Sequence, residues 1–291
     1  MRNAIQVSRP AVSRFRFSKT RIGICCRDAD TLRSMSRFVR ILSYCSALAL
    51  IASSAPGATI VLAPSKDNTL YQDVEGDVSN GQGPFLYAGK TGSNANFGLR
   101  RGLIAFDLSA IPDGSIITNV SLSLFLSKSS PNPAAENISL HAALSDWGEG
   151  ASNAGDPGGA GILAQAGDAT WVFNFFNTSQ WNTVGGDFRV AASATTAVTL
   201  PARTYLWSSA TMISDVQAWV NDPNSNFGWV IRGNEAVDET AQRFNSSEST
   251  SNVPQLTITY TIIPEPSSLA LVAAGALAAV RRRRRSASQK Q

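Results

Sequence analysis

Apolar and polar positions alternate strictly in three segments of this chain. Val120, Leu122, Leu124 and Leu126 share one face, with Ser121, Ser123 and Ser127 on the other. Ile138, Leu140, Ala142 and Leu144 repeat the pattern. So do Leu256, Ile258, Tyr260 and Ile262, with Gln255, Thr257, Thr259 and Thr261 between them. Successive side chains of a strand point to opposite faces, so a period of two predicts half-buried antiparallel strands. Shorter runs predict strands at 59–63, 85–88, 102–106 and 228–232. Pro112-Asp113-Gly114 and Pro131-Asn132-Pro133 supply turns between them.

One segment changes period. Met212, Ile213, Val216, Trp219 and Val220 fall at helical spacing, with Ser208 or Ser209 placed to cap the start and Pro223 beyond the end. This predicts a single short helix over one opening of the sheet structure, with Trp219 as a plug of the core. Residues 148–169 are rich in glycine and small side chains and predict a long loop or insertion. The expected fold class is all-β, a jelly-roll-like antiparallel β-sandwich with one short helix.

The two ends follow neither pattern. Pro264-Glu265-Pro266 precedes an apolar run over 267–280, and Arg281, Arg282, Arg283, Arg284 and Arg285 follow it. Those 14 residues would span roughly 21 Å as a helix, where a comfortable span takes about 20 residues. A short transmembrane helix of this kind suits temporary retention. The arginines would hold its end in the cytoplasm. The tripartite order resembles the PEP-CTERM sorting signal of Gram-negative bacteria. The resemblance implies export, a transient anchor, processing by an exosortase-type protease, and a final place in the cell envelope, at the surface or in the extracellular matrix. At the other end, an apolar stretch over 41–52 follows Arg37 and Arg40 and precedes Ser53, Ser54 and Ala55, the layout of a secretory signal peptide. Residues 1–34 carry eight Lys/Arg, unlike an ordinary signal peptide, and Met35 would begin one. The expected division is therefore 1–58 signal peptide with an upstream extension, 59–262 exported domain and 263–291 sorting signal.

This division changes the meaning of the charge. The whole chain is +4. Residues 59–266 hold 9 Lys/Arg against 19 Asp/Glu, a net of −10. The basic charge belongs to the ends, and an acidic exported domain argues against nucleic acid or anionic lipid as its partner. Cys25, Cys26 and Cys45 all precede residue 59, so the domain has neither disulfide nor thiolate chemistry. Roughly 200 residues suffice for a sizeable core without them.

Candidate chemistry is sparse. His141 is the single histidine and should lie on the polar face of its strand. No Gly-x-Ser-x-Gly elbow or zinc-ligand spacing is present, and no carboxylate pair stands out for glycoside hydrolysis. Asp73-Val74-Glu75-Gly76-Asp77 imitates a calcium-loop opening, but Val78 and Pro84 occupy the positions where an EF-hand needs Gly and Glu. The remaining metal reading is a calcium ion held by Asp67, Asp73 or Asp77 with backbone oxygens, against a plain solvated acidic loop. Trp147, Trp171, Trp181 and Trp207 lie in or beside loops, where ligand-binding residues concentrate. Trp147 and Trp171 are the candidate sugar platforms. Arg100 and Arg101 are the candidate partners for uronate carboxylates, because guanidinium forks match carboxylate geometry.

The order of short blocks resembles the DNRLRE domain of bacterial surface proteins. The blocks are Asp67-Asn68-Thr69-Leu70, Asn80-Gly81, the run from Arg100 through Ser109, Trp147-Gly148-Glu149-Gly150, Asp215-Val216-Gln217-Ala218-Trp219, Ser246-Ser247-Glu248 and Pro254-Gln255-Leu256. The opening tetrapeptide and the Gly-rich insertion depart from the family pattern. The resemblance implies a jelly-roll-like sandwich, with binding of acidic polysaccharides known in some relatives. The expectation is a non-enzymatic exported protein that binds polysaccharide. The rivals are a polysaccharide lyase or hydrolase and a purely structural matrix protein.

Overall fold

The computed structural model describes residues 57–96, 98–129, 134–262 and 275–279. The sequence-predicted signal peptide, Pro131-Asn132-Pro133, Pro264-Glu265-Pro266 and the five arginines lie outside the described residues. Residues 275–279, within the C-terminal apolar run, are helical. No described helix is long and apolar enough to cross a membrane.

In chain order the strands are β1 (Ala58–Leu62), β2 (Lys66–Tyr71), β3 (Val78–Ser79), β4 (Phe85–Lys90), β5 (Leu99–Ala105), β6 (Ile116–Lys128) and β7 (Glu136–Ala142). Then come β8 (Ile162–Leu163), β9 (Phe173–Phe175), β10 (Ser179–Gln180), β11 (Ala194–Val198) and β12 (Arg203–Trp207). Helix α1 (Ala210–Asn221) precedes β13 (Trp229–Arg232), β14 (Gln242–Asn245) and β15 (Gln255–Thr261).

The predicted all-β class holds, and the described ladders are antiparallel. Eleven strands make one sheet that curls into a half-barrel. One half runs through β1, β15, β6 and β12. The other runs through β2, β5, β13, β7 and β11. Strand β4 joins them, because Phe85–Ala88 pair with β14 while Gly89 and Lys90 pair with β5. Gly89 makes this change of partner possible. Its φ is +121°, and a Cβ there would stand 2.7 Å from the Thr240 carbonyl oxygen.

The core fills the curl. Val120, Leu122, Leu124 and Leu126 of β6 face Ile138 and Leu140 of β7 and Trp229 and Ile231 of β13, all fully buried. Each such side chain contributes about 1.5–3 kcal/mol by leaving water. Helix α1 covers the core as predicted. Ser209 caps it, accepting from the Met212 amide at 3.0 Å. Trp219 packs edge-on against Trp229 at 4.6 Å. The alternation read at Leu144 and Ile262 runs past the strands. β7 ends at Ala142 and β15 at Thr261, and both residues are exposed.

A second apolar cluster lies on the outer face of the β5–β13–β7 half. Leu103 and Val230 meet Trp147, Ala169, Trp171 and Trp181 there. The segment between β7 and β11, with its Gly-rich stretch, is therefore a packed cover over that face. Strand β13 is buried on both sides. The two ends of the domain are neighbours, because β1 pairs with β15 and Ala58 stands opposite Tyr260.

Candidate functional site

Where β7 begins and β13 ends, the sheet opens into a cleft of about 490 Å³. Glu136 and Asn137 line one side, and Arg232, Gly233, Asn234 and Glu235 the other. The turn after β13 builds the second wall. Asn234 accepts from the amides of Ala236 and Val237 at 3.1 and 3.3 Å, an arrangement that fixes a tight turn. Its side-chain amide then donates to Glu136 Oε2 at 3.1 Å, linking the two walls.

Glu235 anchors this region. Arg232 and Arg101 are direct cross-strand neighbours in the β13–β5 ladder, a like-charge pair that is destabilising by itself. Glu235 accepts from both. Arg101 donates at 2.7 and 2.9 Å, and Arg232 at 3.2 and 2.6 Å. Burial alone would raise the Glu235 carboxyl, but the bonds and charges of the two guanidiniums override it and hold it down at about 2. The stacking is equally specific. Arg101 lies over Trp171 at 4.7 Å, and both arginines lie over Phe188, at 5.2 and 5.1 Å.

Several sequence expectations are corrected here. Trp147 and Trp171 are not sugar platforms. They are 1% and 7% exposed and pack in the outer cluster, and Trp147 Nε1 donates to the Phe227 carbonyl at 2.9 Å. Trp181 and Trp207 are buried as well. Arg100 and Arg101 do not form a joint basic patch, because consecutive residues of a strand point to opposite faces. Arg101 is committed to Glu235. Arg100 is buried against Tyr71 at 4.8 Å, with its Nε donating to the Gly159 carbonyl at 3.2 Å and Nη1 to the Leu99 carbonyl at 2.9 Å. Burial lowers its pKa.

His141 lies on the outer face, as alternation required, but the β7–β11 segment covers it and it is 4% exposed. Its Nδ1 donates to the Arg189 carbonyl and its Nε2 meets Ser139 Oγ, both at 2.9 Å. That pair has nucleophile–base spacing. The third partner, however, is a neutral carbonyl where a triad places a carboxylate to stabilise the imidazolium. Burial lowers the His141 pKa, so the ring is held neutral.

Of the candidate calcium ligands, Asp73 and Asp77 share one turn and Asp67 stands apart from them. Asp73 accepts from the Gly76 amide and, at 3.3 Å, from the Asp77 amide, which closes a local turn. Asp67 lies on β2, and the carboxylates acting on it are Glu248 and Glu149. No three Asp, Glu, His or Cys side chains form a metal cage among the described residues.

Sequence reading missed Asp215. It lies on the buried face of α1 and accepts from Arg189 Nη2 at 2.7 Å, from Ser193 Oγ at 2.5 Å and from Trp229 Nε1 at 3.2 Å. An aspartate in the middle of an apolar helical stripe is the signal that could have found it.

The profile of the PEP-CTERM protein-sorting motif matches residues 263–285. The chain carries a PEP-CTERM sorting signal. The match holds Pro264, Glu265, Pro266 and all five arginines, in the order read from the sequence. A PEP-CTERM signal implies exosortase-dependent processing and export to the surface of a Gram-negative cell. It begins two residues after β15 ends, so the folded domain adjoins its processing signal. No curated protein matches the chain.

Proposed function

We propose that the exported domain is a non-enzymatic surface or matrix protein that binds a neutral, hydroxyl-rich polysaccharide in the Glu136–Asn234 cleft. The observation that carries this reading is the convergence of Glu136, Asn137, Asn234 and Glu235 on a cleft at the edge of a domain whose tryptophans are all consumed by packing. Amide and carboxylate groups match sugar hydroxyls as donors and acceptors. The reading favours a neutral glycan because Arg101 and Arg232 are already paired with Glu235 and the domain is acidic overall. The resemblance to DNRLRE domains supports a polysaccharide ligand, but the relatives' ligands are acidic, so the neutral class rests on the cleft and the charge of this domain.

Glycan-array binding of the secreted protein tests this reading, followed by calorimetry at two salt concentrations. Expected are a neutral ligand, an affinity nearly independent of salt, and at least a tenfold loss in Asn234→Ala. Release of reducing ends or unsaturated products would make the protein a hydrolase or lyase. Failure of the folded protein to bind any glycan would leave the structural matrix reading.

A further inference from the structure

Three chain segments far apart in sequence bring carboxylates together at the start of β2. Asp67 is 1% exposed. Its Oδ2 accepts from the Ser247 amide at 2.8 Å, and its Oδ1 is buried with no partner. Glu248, in the turn after β14, accepts from Ser247 Oγ at 2.8 Å through Oε1, while its buried Oε2 has no partner. Glu149, in the loop after Trp147, accepts from the Asp67 amide at 2.8 Å and from Gln82 Nε2 at 3.1 Å. The hydrogen bonds of the neighbouring ammonium go elsewhere. Lys66 Nζ donates to Asp146 Oδ1 and to the Trp147 carbonyl, both at 2.6 Å.

Buried carboxylate oxygens without donors are costly unless a proton or a cation meets them. We propose that Asp67 and Glu248 bind a calcium ion that ties β2 to the turn after β14. All-oxygen donors select a hard cation, and calcium's flexible coordination accepts two carboxylates completed by backbone oxygen and water. Weak binding suits an exported protein, since extracellular calcium modules work at Kd values of about 10⁻⁴ to 10⁻³ M.

The test uses the secreted protein, stripped with chelator and melted with and without about 10 mM CaCl₂. The expected rise in melting temperature is about 3–10 °C, from occupancy at ten to a hundred times Kd. MgCl₂ should give a smaller rise, because magnesium demands a stricter octahedron. Terbium luminescence excited through tryptophan should report the same site. Asp67→Asn and Glu248→Gln should abolish both responses while still melting cooperatively, and Asp77→Asn should keep them. If Asp67→Asn does not fold, Glu248→Gln carries the test. A melting temperature indifferent to CaCl₂, or an unchanged CaCl₂ response in Glu248→Gln, would overturn the proposal. Glycan binding is read separately, so either idea can fail alone.

Discussion

Arg101 grips Glu235 through two parallel bonds, Nε to Oε1 at 2.7 Å and Nη2 to Oε2 at 2.9 Å, with both side chains largely buried. The same carboxylate serves Arg232. One acidic residue after β13 therefore bridges a cross-strand pair of like charges and shapes one wall of the cleft. Glu235→Gln should lower stability by about 2–4 kcal/mol, because it leaves two guanidiniums around a neutral amide. Urea unfolding measures this. A loss below about 0.5 kcal/mol would mean that the pair behaves like an exposed salt bridge.

The pH dependence of stability follows from Glu235 and His141. Glu235 titrates at about 2 in the folded domain, below the ordinary 4.5, so its contribution is present above pH 4.5 and is lost as pH falls toward 2. His141 is lowered from its ordinary 6.5 by burial, so the unfolded chain takes up its proton first and stability falls as pH drops below about 6.5. Because the chain has one histidine, its ring resonances are unambiguous by NMR. Their midpoint should lie below 6.5, and a midpoint above it would contradict the buried, neutral ring.

All six tryptophans are buried, none more than 7% exposed. The native emission should be blue-shifted and resist iodide quenching until unfolding. Trp147→Ala should cost about 3–5 kcal/mol through the cavity it leaves and the freed Phe227 carbonyl. Had Trp147 been a sugar platform, its removal would spare stability and abolish binding instead.

Ser209→Ala should weaken the domain by about 0.5–2 kcal/mol, since it removes the cap of the helix that closes the core. Trp219→Ala should cost more, about 3–5 kcal/mol, because the ring packs on Trp229. Thermal melts rank the two, and the reverse order would displace α1 from its role as the cover of the core.

Sorting and redox behaviour are checked together on secreted material. Intact mass should show that Pro264-Glu265-Pro266, the apolar run and the arginines are no longer carried, and a product still ending at Gln291 would contradict processing. The melting temperature should be the same with and without reductant, because residues 59–262 contain no cysteine.

By itself the sequence determined whatever depends on neighbours along the chain. The alternation in β6, β7 and β15 decided the antiparallel class, because a strand's faces are fixed by parity. The apolar stripe with Ser209 before it decided α1, and the order of proline, apolar run and arginines decided the sorting signal. The structure starts β5 at Leu99, ahead of the predicted strand, and so places Arg100 and Arg101 on opposite faces although their adjacency in sequence suggests a patch. Only the tertiary structure decided what covers a face. β2 reads Lys-Asp-Asn-Thr-Leu-Tyr, with no alternation, yet the β7–β11 segment, β4 and the turn after β14 bury it from both sides. That same cover turned loop tryptophans into core and His141 into a buried ring. The meeting of Asp67 with Glu149 and Glu248 spans 82 and 181 positions of chain. It has no local signature, because a carboxylate's neighbours across a curled sheet are set by strand order and not by sequence spacing.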